Sequence, residues 1–228
     1  MLPSGTRPAL FPESGSPAIG PAARLARRED PEMISSIILA AGASTRMGTP
    51  KALLDWGGEP LICYEIRQLQ EAGVDEVIVV LGHRSDEIRR KLAKVQCRVM
   101  NNPHFHAGRS RSLHIGAKAV NRDASAIVIQ NVDQPRPATF LRDLIQAHRE
   151  GTVATRPAFA GHHGHPIVVS GSLRTELMAA TDETEGIRGV LRAHTGEITD
   201  VPADDMGEID INTPDDYQAA LRRFGLGG

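Results

Sequence analysis

The chain is poor in cysteine. It has two in 228 residues, Cys63 and Cys97, with no CxxC pair and no neighbouring Cys/His cluster. That spacing excludes a disulfide framework and a cysteine zinc site, and it suits a reducing, cytoplasmic setting. Cys63 falls in an apolar helical pattern and Cys97 in a short extended segment, so both read as ordinary, partly buried thiols. An excess of charge of one sign is also missing: 26 Lys+Arg stand against 28 Asp+Glu, for a formal net charge of -2. Such a balance gives no field that argues for nucleic acid as a partner. No uninterrupted apolar run approaches the roughly 18 residues of a membrane span. Neither GxxxxGK[ST] nor GxGxxG occurs, so neither a P-loop ATPase nor a nicotinamide enzyme follows from a glycine motif. Internal repeats and coiled-coil heptads are absent as well.

What remains is a globular composition, 40% hydrophobic and 24% charged, unevenly distributed. Residues 1–32 hold six of the fifteen prolines and few large apolar side chains, too little to offset the entropy of ordering the chain. They also lack the apolar stretch of about 7 to 15 residues that a secretory signal needs. They are expected to be a disordered N-terminal extension, with residues 33–228 forming a single domain.

Within that domain, residues 34–39 form a β-branched run that feeds a small-residue loop, as a buried strand does. Pro60 opens a helical pattern (Leu61, Ile62, Ile66, Leu69) that Gly73 ends. Residues 74–81 read as a second strand, Ser85 as the cap of a helix over 86–94, and residues 95–100 as a third strand. A helix over 110–120, a strand over 126–132 and a helix capped by Thr139 and running to His148 follow. Near-continuous apolar strands between amphipathic helices predict a three-layer α/β/α fold around a mainly parallel, Rossmann-like sheet. Residues 153–159 and 167–169 are expected to add a strand pair or to form a flap over the sheet's carboxyl edge. Thr213-Pro214-Asp215-Asp216 combines an N-cap, a proline at N1 and an acid at N3, so a terminal helix should run to about Phe224.

The most informative stretch is residues 39–51, LAAGASTRMGTPK. A small-residue loop after a strand lets backbone N–H groups approach phosphate oxygens, and Arg46 and Lys51 supply charge-assisted bonds. Together they describe a nucleotide cradle.

Residues 39–54 resemble the signature of the nucleotidyltransferases that make molybdopterin dinucleotide cofactors, within a superfamily that also makes nucleotide sugars. The likeness continues through Asp133-Gln134-Pro135, Gly164-His165-Pro166 and residues 210–217 (DINTPDDY). The series as a whole is most similar to the molybdenum cofactor cytidylyltransferases. That resemblance implies transfer of CMP from CTP to the terminal phosphate of molybdopterin, with release of pyrophosphate. The product would serve a xanthine-dehydrogenase-class apoenzyme or its maturation factor. It implies that Leu39, Ala40, Ala41, Gly42, Arg46 and Lys51 hold the nucleotide and that Asp133 binds Mg²⁺. Asp210 would be the second metal contact, with Asn212 the other candidate in that segment. Val132 stands where the family often has glycine. The Ala40-Ala41-Gly42 form is closer to the cytidine-using than to the guanosine-using members.

Nucleotidyl transfer needs no protein nucleophile, only alignment of two anions and neutralisation of their charge. Arg109 and Ser112, in a polar loop ahead of a helix, suit an anionic substrate. His165 is expected to shape the pterin or phosphate side of the pocket. His162, His163 and His165 have no fourth ligand at a familiar zinc spacing, and residues 184–188 could close the acceptor site or simply start a helix. Three alternatives share these residues: a guanylyltransferase, a sugar-phosphate nucleotidyltransferase, and a non-catalytic pterin-cofactor binding or delivery protein.

Overall fold

The computed structural model describes residues 33–148 and 151–227; the expected extension at 1–32 lies outside them. Four strands form the centre of the sheet: β1 (Ile34–Ala40), β2 (Glu76–Leu81), β3 (Arg98–Asn101) and β4 (Ala126–Asn131). They run parallel in the order β3-β2-β1-β4, with Ile37 opposite both Ile78 and Ile129. β5 (Ala154–Phe159), β6 (His162–His163), β7 (Ile167–Ser170) and β8 (Ile198–Pro202) complete a mixed sheet. β7 lies antiparallel between β4 and β5, while β8 runs parallel to β5. The second half of the chain therefore extends the sheet rather than covering it.

β5 meets β6 and β7 in one interrupted antiparallel ladder. Ala158 faces His163, whereas Ala154 faces Val169, so the register slips by two residues across Gly164-His165-Pro166. That slip takes His165 and Pro166 out of the ladder, and the peptide between them is cis.

Alternation along the central strands divides the core into two layers. Ile34, Ile38, Val77, Val79, Leu81 and Val128 face one side, against α1 (Leu61–Glu71), α2 (Ser85–Lys91) and α4 (Ala138–Ala147). Ile37, Ile78, Val80, Ile127 and Ile129 face the other, against α3 (Ser110–Ala119), α5 (Arg174–Ala179) and α6 (Ile187–Ala193). α3 comes very close to β1 because Gly116 has no side chain; a Cβ there would lie 2.5 Å from Ile37. The result is the three-layer α/β/α architecture read from the sequence.

α7 (Pro214–Arg223) packs in a third cluster with Leu54, Trp56, Leu61, Tyr64, Ile209 and Ile211. It begins with the expected capping box: Thr213 Oγ1 accepts from Asp216 N at 3.2 Å, and Asp216 Oδ2 accepts from Thr213 N at 2.8 Å. The other two expected caps differ. Ser85 is the first residue of α2, preceded by Arg84 in the left-handed region (φ 51°). Pro137 precedes α4, and Thr139 makes no capping bond.

Candidate active site

The carboxyl ends of parallel strands in an open α/β sheet are where ligands bind, and β1 and β4 bring the motifs together there. After Ala40 the chain leaves the sheet through Gly42, Ala43 and Ser44, whose amides donate no hydrogen bond to described residues. Three successive N–H groups without a partner among the described residues are donors of the kind that an anion can engage. Ser44 takes a left-handed conformation (φ 50°), and its Oγ accepts from Lys51 N at 3.1 Å, closing the loop. Two single 3₁₀ turns follow, Thr45–Met47 carrying an exposed Arg46 and Lys51–Leu53 carrying Lys51.

Lys51 Nζ donates to Asp133 Oδ2 at 2.8 Å and to Asn212 Oδ1 at 3.0 Å. Asp133 sits just past β4. Its main-chain oxygen accepts from Ile211 N at 2.8 Å, while Val132 N donates to Leu39 O at 3.2 Å. Two strand ends and the segment before α7 are thus tied at one point. Val132, the position that differs from the family pattern, is buried in the core cluster of α1 and α4. The bulk of its side chain is accommodated there.

Leu39, Ala40, Ala41, Gly42, Arg46, Lys51, Arg109, Ser112, Asp133 and Asn212 all line one cleft of about 270 Å³. Asp210 and His165 are not among its lining residues. Asp210 is exposed, yet desolvation of its inner side, and then the Asp133 carboxylate, raises its carboxyl above the usual range. It is therefore an electrostatic neighbour of Asp133 outside the cleft wall. His165 is drawn down by burial, with its Nδ1 3.4 Å from Ile129 O.

Ser112 is held from behind. Asn102, fully buried, accepts from His104 N through Oδ1 at 3.0 Å and donates from Nδ2 to Ser112 Oγ at 3.0 Å. The first bond fixes the orientation of the amide, so the Ser112 hydroxyl is left to donate elsewhere. Gly108, at φ 123°, gives up its Cβ space to Asp182, whose Oδ1 accepts from Ser110 N and Oγ at 3.2 and 3.0 Å. Residues 184–188 belong to this brace: Gly186 abuts Ser110, and α6 starts at Ile187. None of them lines the cleft.

The sequence reading did not single out Ser44, Phe105 or Asn131, which also line the cleft, nor Arg136 beneath it. Arg136 carried a local signal, an arginine between two prolines. His163 pairs with Asp200 on the surface. Among the described residues no group of three or more His, Cys, Asp or Glu is arranged to hold a metal, and no helix is long and apolar enough to cross a membrane.

Comparison with known proteins places the chain in a family. Molybdenum cofactor cytidylyltransferase of Escherichia coli is 25% identical over 193 residues, covering 84% of this chain and 97% of that protein. Nicotine blue oxidoreductase of Paenarthrobacter nicotinovorans is 27% identical, over 70% of this chain and 81% of its own. The bifunctional protein GlmU of Heliobacterium modesticaldum is 24% identical over 85% of this chain, but the match spans only 37% of GlmU. Among solved structures, a nucleotidyl transferase from Methanothermobacter thermautotroptrophicus superposes with a TM-score of 0.74 at 26% identity, over 84% of this chain and 97% of that one. Rv0371C of Mycobacterium tuberculosis, in complex with manganese, superposes with a TM-score of 0.68 at 27% identity, over 83% and 98%. The MobA-like NTP transferase domain matches residues 36–198, which include the loop after β1, Lys51, Arg109, Ser112 and Asp133, and the chain belongs to that family.

Proposed function

We propose that this protein transfers CMP from CTP to molybdopterin, forming molybdopterin cytosine dinucleotide and pyrophosphate. The observation that carries the reading is the convergence of Lys51, Asp133 and Asn212 beside the unpaired amides of Gly42, Ala43 and Ser44. The likeness to the E. coli cytidylyltransferase, which runs nearly the full length of that protein, supports the choice of nucleotide and acceptor.

The unpaired amides, Arg46 and Lys51 bind the triphosphate and hold it in line with the incoming acceptor. Lys51 spends two of its three donors on Asp133 and Asn212, which keeps the third for a phosphate oxygen. An oxygen of the molybdopterin terminal phosphate attacks the α-phosphorus. One P–O bond forms there, the P–O bond to the β-phosphate breaks, and pyrophosphate leaves with the electron pair. Arg109 and Ser112 orient the nucleotide or its acceptor from the start of α3; His165, expected on the acceptor side, lies outside the cleft lining and takes no part in the step.

The donor set suits Mg²⁺, a hard cation that takes one or two carboxylates and completes its shell with phosphate oxygens and water. Asp133, Asp210 and Asn212 would each offer an oxygen ligand, and a bound cation would offset the repulsion from Asp133 that helps to raise Asp210. When bound, Mg²⁺ neutralises charge building on the transferred and leaving phosphates.

The test is to incubate the protein with molybdopterin, Mg²⁺ and each of CTP, GTP, ATP and UTP, following pyrophosphate and dinucleotide together. CTP-dependent dinucleotide is expected. A product with GTP alone would make the protein a guanylyltransferase, and pyrophosphate release with a sugar phosphate but not with molybdopterin would move it to the nucleotide-sugar branch. Tight pterin binding without pyrophosphate would make it a binding or delivery protein. As the producer of the dinucleotide it would meet a xanthine-dehydrogenase-class apoenzyme or its maturation factor, with no role for nucleic acid or membrane.

A further inference from the structure

Arg136 is completely buried, and its hydrogen bonds run to main-chain carbonyls. Nη1 donates to Pro135 O at 2.9 Å and to Ile209 O at 3.2 Å, and Nη2 donates to Gly207 O at 2.8 Å. Taking a guanidinium out of water costs several kcal/mol, and its Nε has no protein partner among the described residues. The charge sits where two chain segments meet. Pro135 lies two residues after Asp133, and Ile209 lies immediately before Asp210. The segments are also joined by the bond from Ile211 N to Asp133 O.

We propose that Arg136 is a positioning residue: its guanidinium clamps residues 207–209 to the Asp133-Gln134-Pro135 turn and so sets the spacing of Asp133 and Asp210. Resting on the cation role given above to those two carboxylates, the inference adds the group that holds them at one separation. A planar fork reaches three carbonyls on two segments at once; a lysine ammonium is a point donor on a flexible stem and cannot reproduce that geometry. Gly207 shows how tightly the clamped segment is seated, because a Cβ there would lie 2.8 Å from the Phe159 ring and 3.0 Å from Ala203 Cβ. Groups that orient metal ligands without touching the metal typically change its affinity about 10- to 100-fold when removed.

The experiment measures Mn²⁺ binding to the full chain by electron paramagnetic resonance, with CTP present and no acceptor. Each variant's thermal melt is recorded alongside. The parent should bind Mn²⁺ and Asp133→Asn should lose it. Arg136→Lys should stay folded and bind at least about tenfold more weakly. Phe140→Leu, which alters the ring 5.6 Å from the guanidinium but leaves the carbonyl bonds in place, should bind like the parent. If Arg136→Lys does not fold, Gly207→Ala, whose Cβ would press on Phe159 and Ala203, shifts the same segment and should show the same loss. Parent-like Mn²⁺ affinity in Arg136→Lys, or in Gly207→Ala where that stands in, overturns the clamp while leaving the cation site intact. A loss in Phe140→Leu equal to that in Arg136→Lys also overturns it, since general packing would then account for both. A parent that binds Mn²⁺ no better than Asp133→Asn overturns the cation site and the clamp with it.

Discussion

Asp133 has two separable tasks. Its carboxylate meets Lys51 and faces the cleft, while its main-chain oxygen ties β4 to the segment before α7. Asp133→Asn keeps the second and removes the charge of the first. Turnover is therefore expected to fall at least about 100-fold, in the range for loss of one preorganised electrostatic group, with the melting temperature little changed. Pyrophosphate release and a thermal melt on the same sample check this, and near-parent turnover would take Asp133 out of the reaction. His165 makes a prediction about pH. Burial holds its imidazole below the ordinary value of 6.5, so below that pH the unfolded chain takes up a proton that the folded chain refuses. The stability concerned is complete above about pH 6.5 and declines as pH falls toward the folded value. His165→Asn should accordingly lose less stability than the parent between pH 7.5 and 5.5, as read from denaturant midpoints. Equal losses would mean that His165 is not the group responsible.

Among the elements, α7 depends most visibly on its first residues. Thr213 and Asp216 satisfy each other's backbone N–H groups, and Thr213→Ala should cost about 1 kcal/mol, the usual value of an N-cap oxygen. Urea denaturation measures it, and an unchanged midpoint would show that tertiary contacts alone hold the helix. Because Asn212 is the residue before this cap and bonds Lys51, the same change should also weaken nucleotide binding, a coupling visible in the CTP KM. This cap was legible in the sequence because everything it needs lies within four residues. Ser85 and Thr139 looked equally suitable, but a left-handed Arg84 and an extended Pro137 occupy the capping positions instead. The same contrast separates the site residues. The loop after β1 is a local pattern, and so is Asp133 at a strand end. Asn102 and Ser112 lie ten residues apart in one polar loop that the sequence shows, though not the bond between them, whereas Arg136 behind Asp210 acts across more than seventy residues, and short-range spacing says nothing of such a pair. α5 and β8 escaped notice, and α6 was legible only as a possible helix start at residues 184–188, for a related reason. The two helices have six and seven residues, and β8 is only partly buried, so none shows a full hydrophobic period.

Across the whole molecule, four of the eight aromatic side chains gather in one cluster. Trp56, the chain's one tryptophan, stands 5.0 Å from Phe224, 5.9 Å from Tyr64 and 6.3 Å from Tyr217, ring centre to ring centre. The cluster presses the C-terminal helix onto the loop that follows Lys51, and so supports the site from outside the two main core layers. The opposite end of the domain is fastened by the first strand itself. Met33 O accepts from Ser125 N at 2.9 Å and from Ser125 Oγ at 3.2 Å, and Ile34 N donates to Asp75 Oδ2 at 2.8 Å. These anchors start at residue 33, and the residues of the cleft and the aromatic cluster all follow it. A chain of residues 33–228 is therefore expected to melt within about 2 °C of the full chain, less than 1 kcal/mol of stability for a domain of this size, and to retain its pyrophosphate release. A larger drop in melting temperature would make residues 1–32 part of the folded core. Lost turnover at an unchanged melting temperature would instead give them a role in substrate capture, where their Arg24, Arg27 and Arg28 could meet an anionic acceptor. The two measurements together distinguish a dispensable extension from one that works in the reaction without supporting the fold.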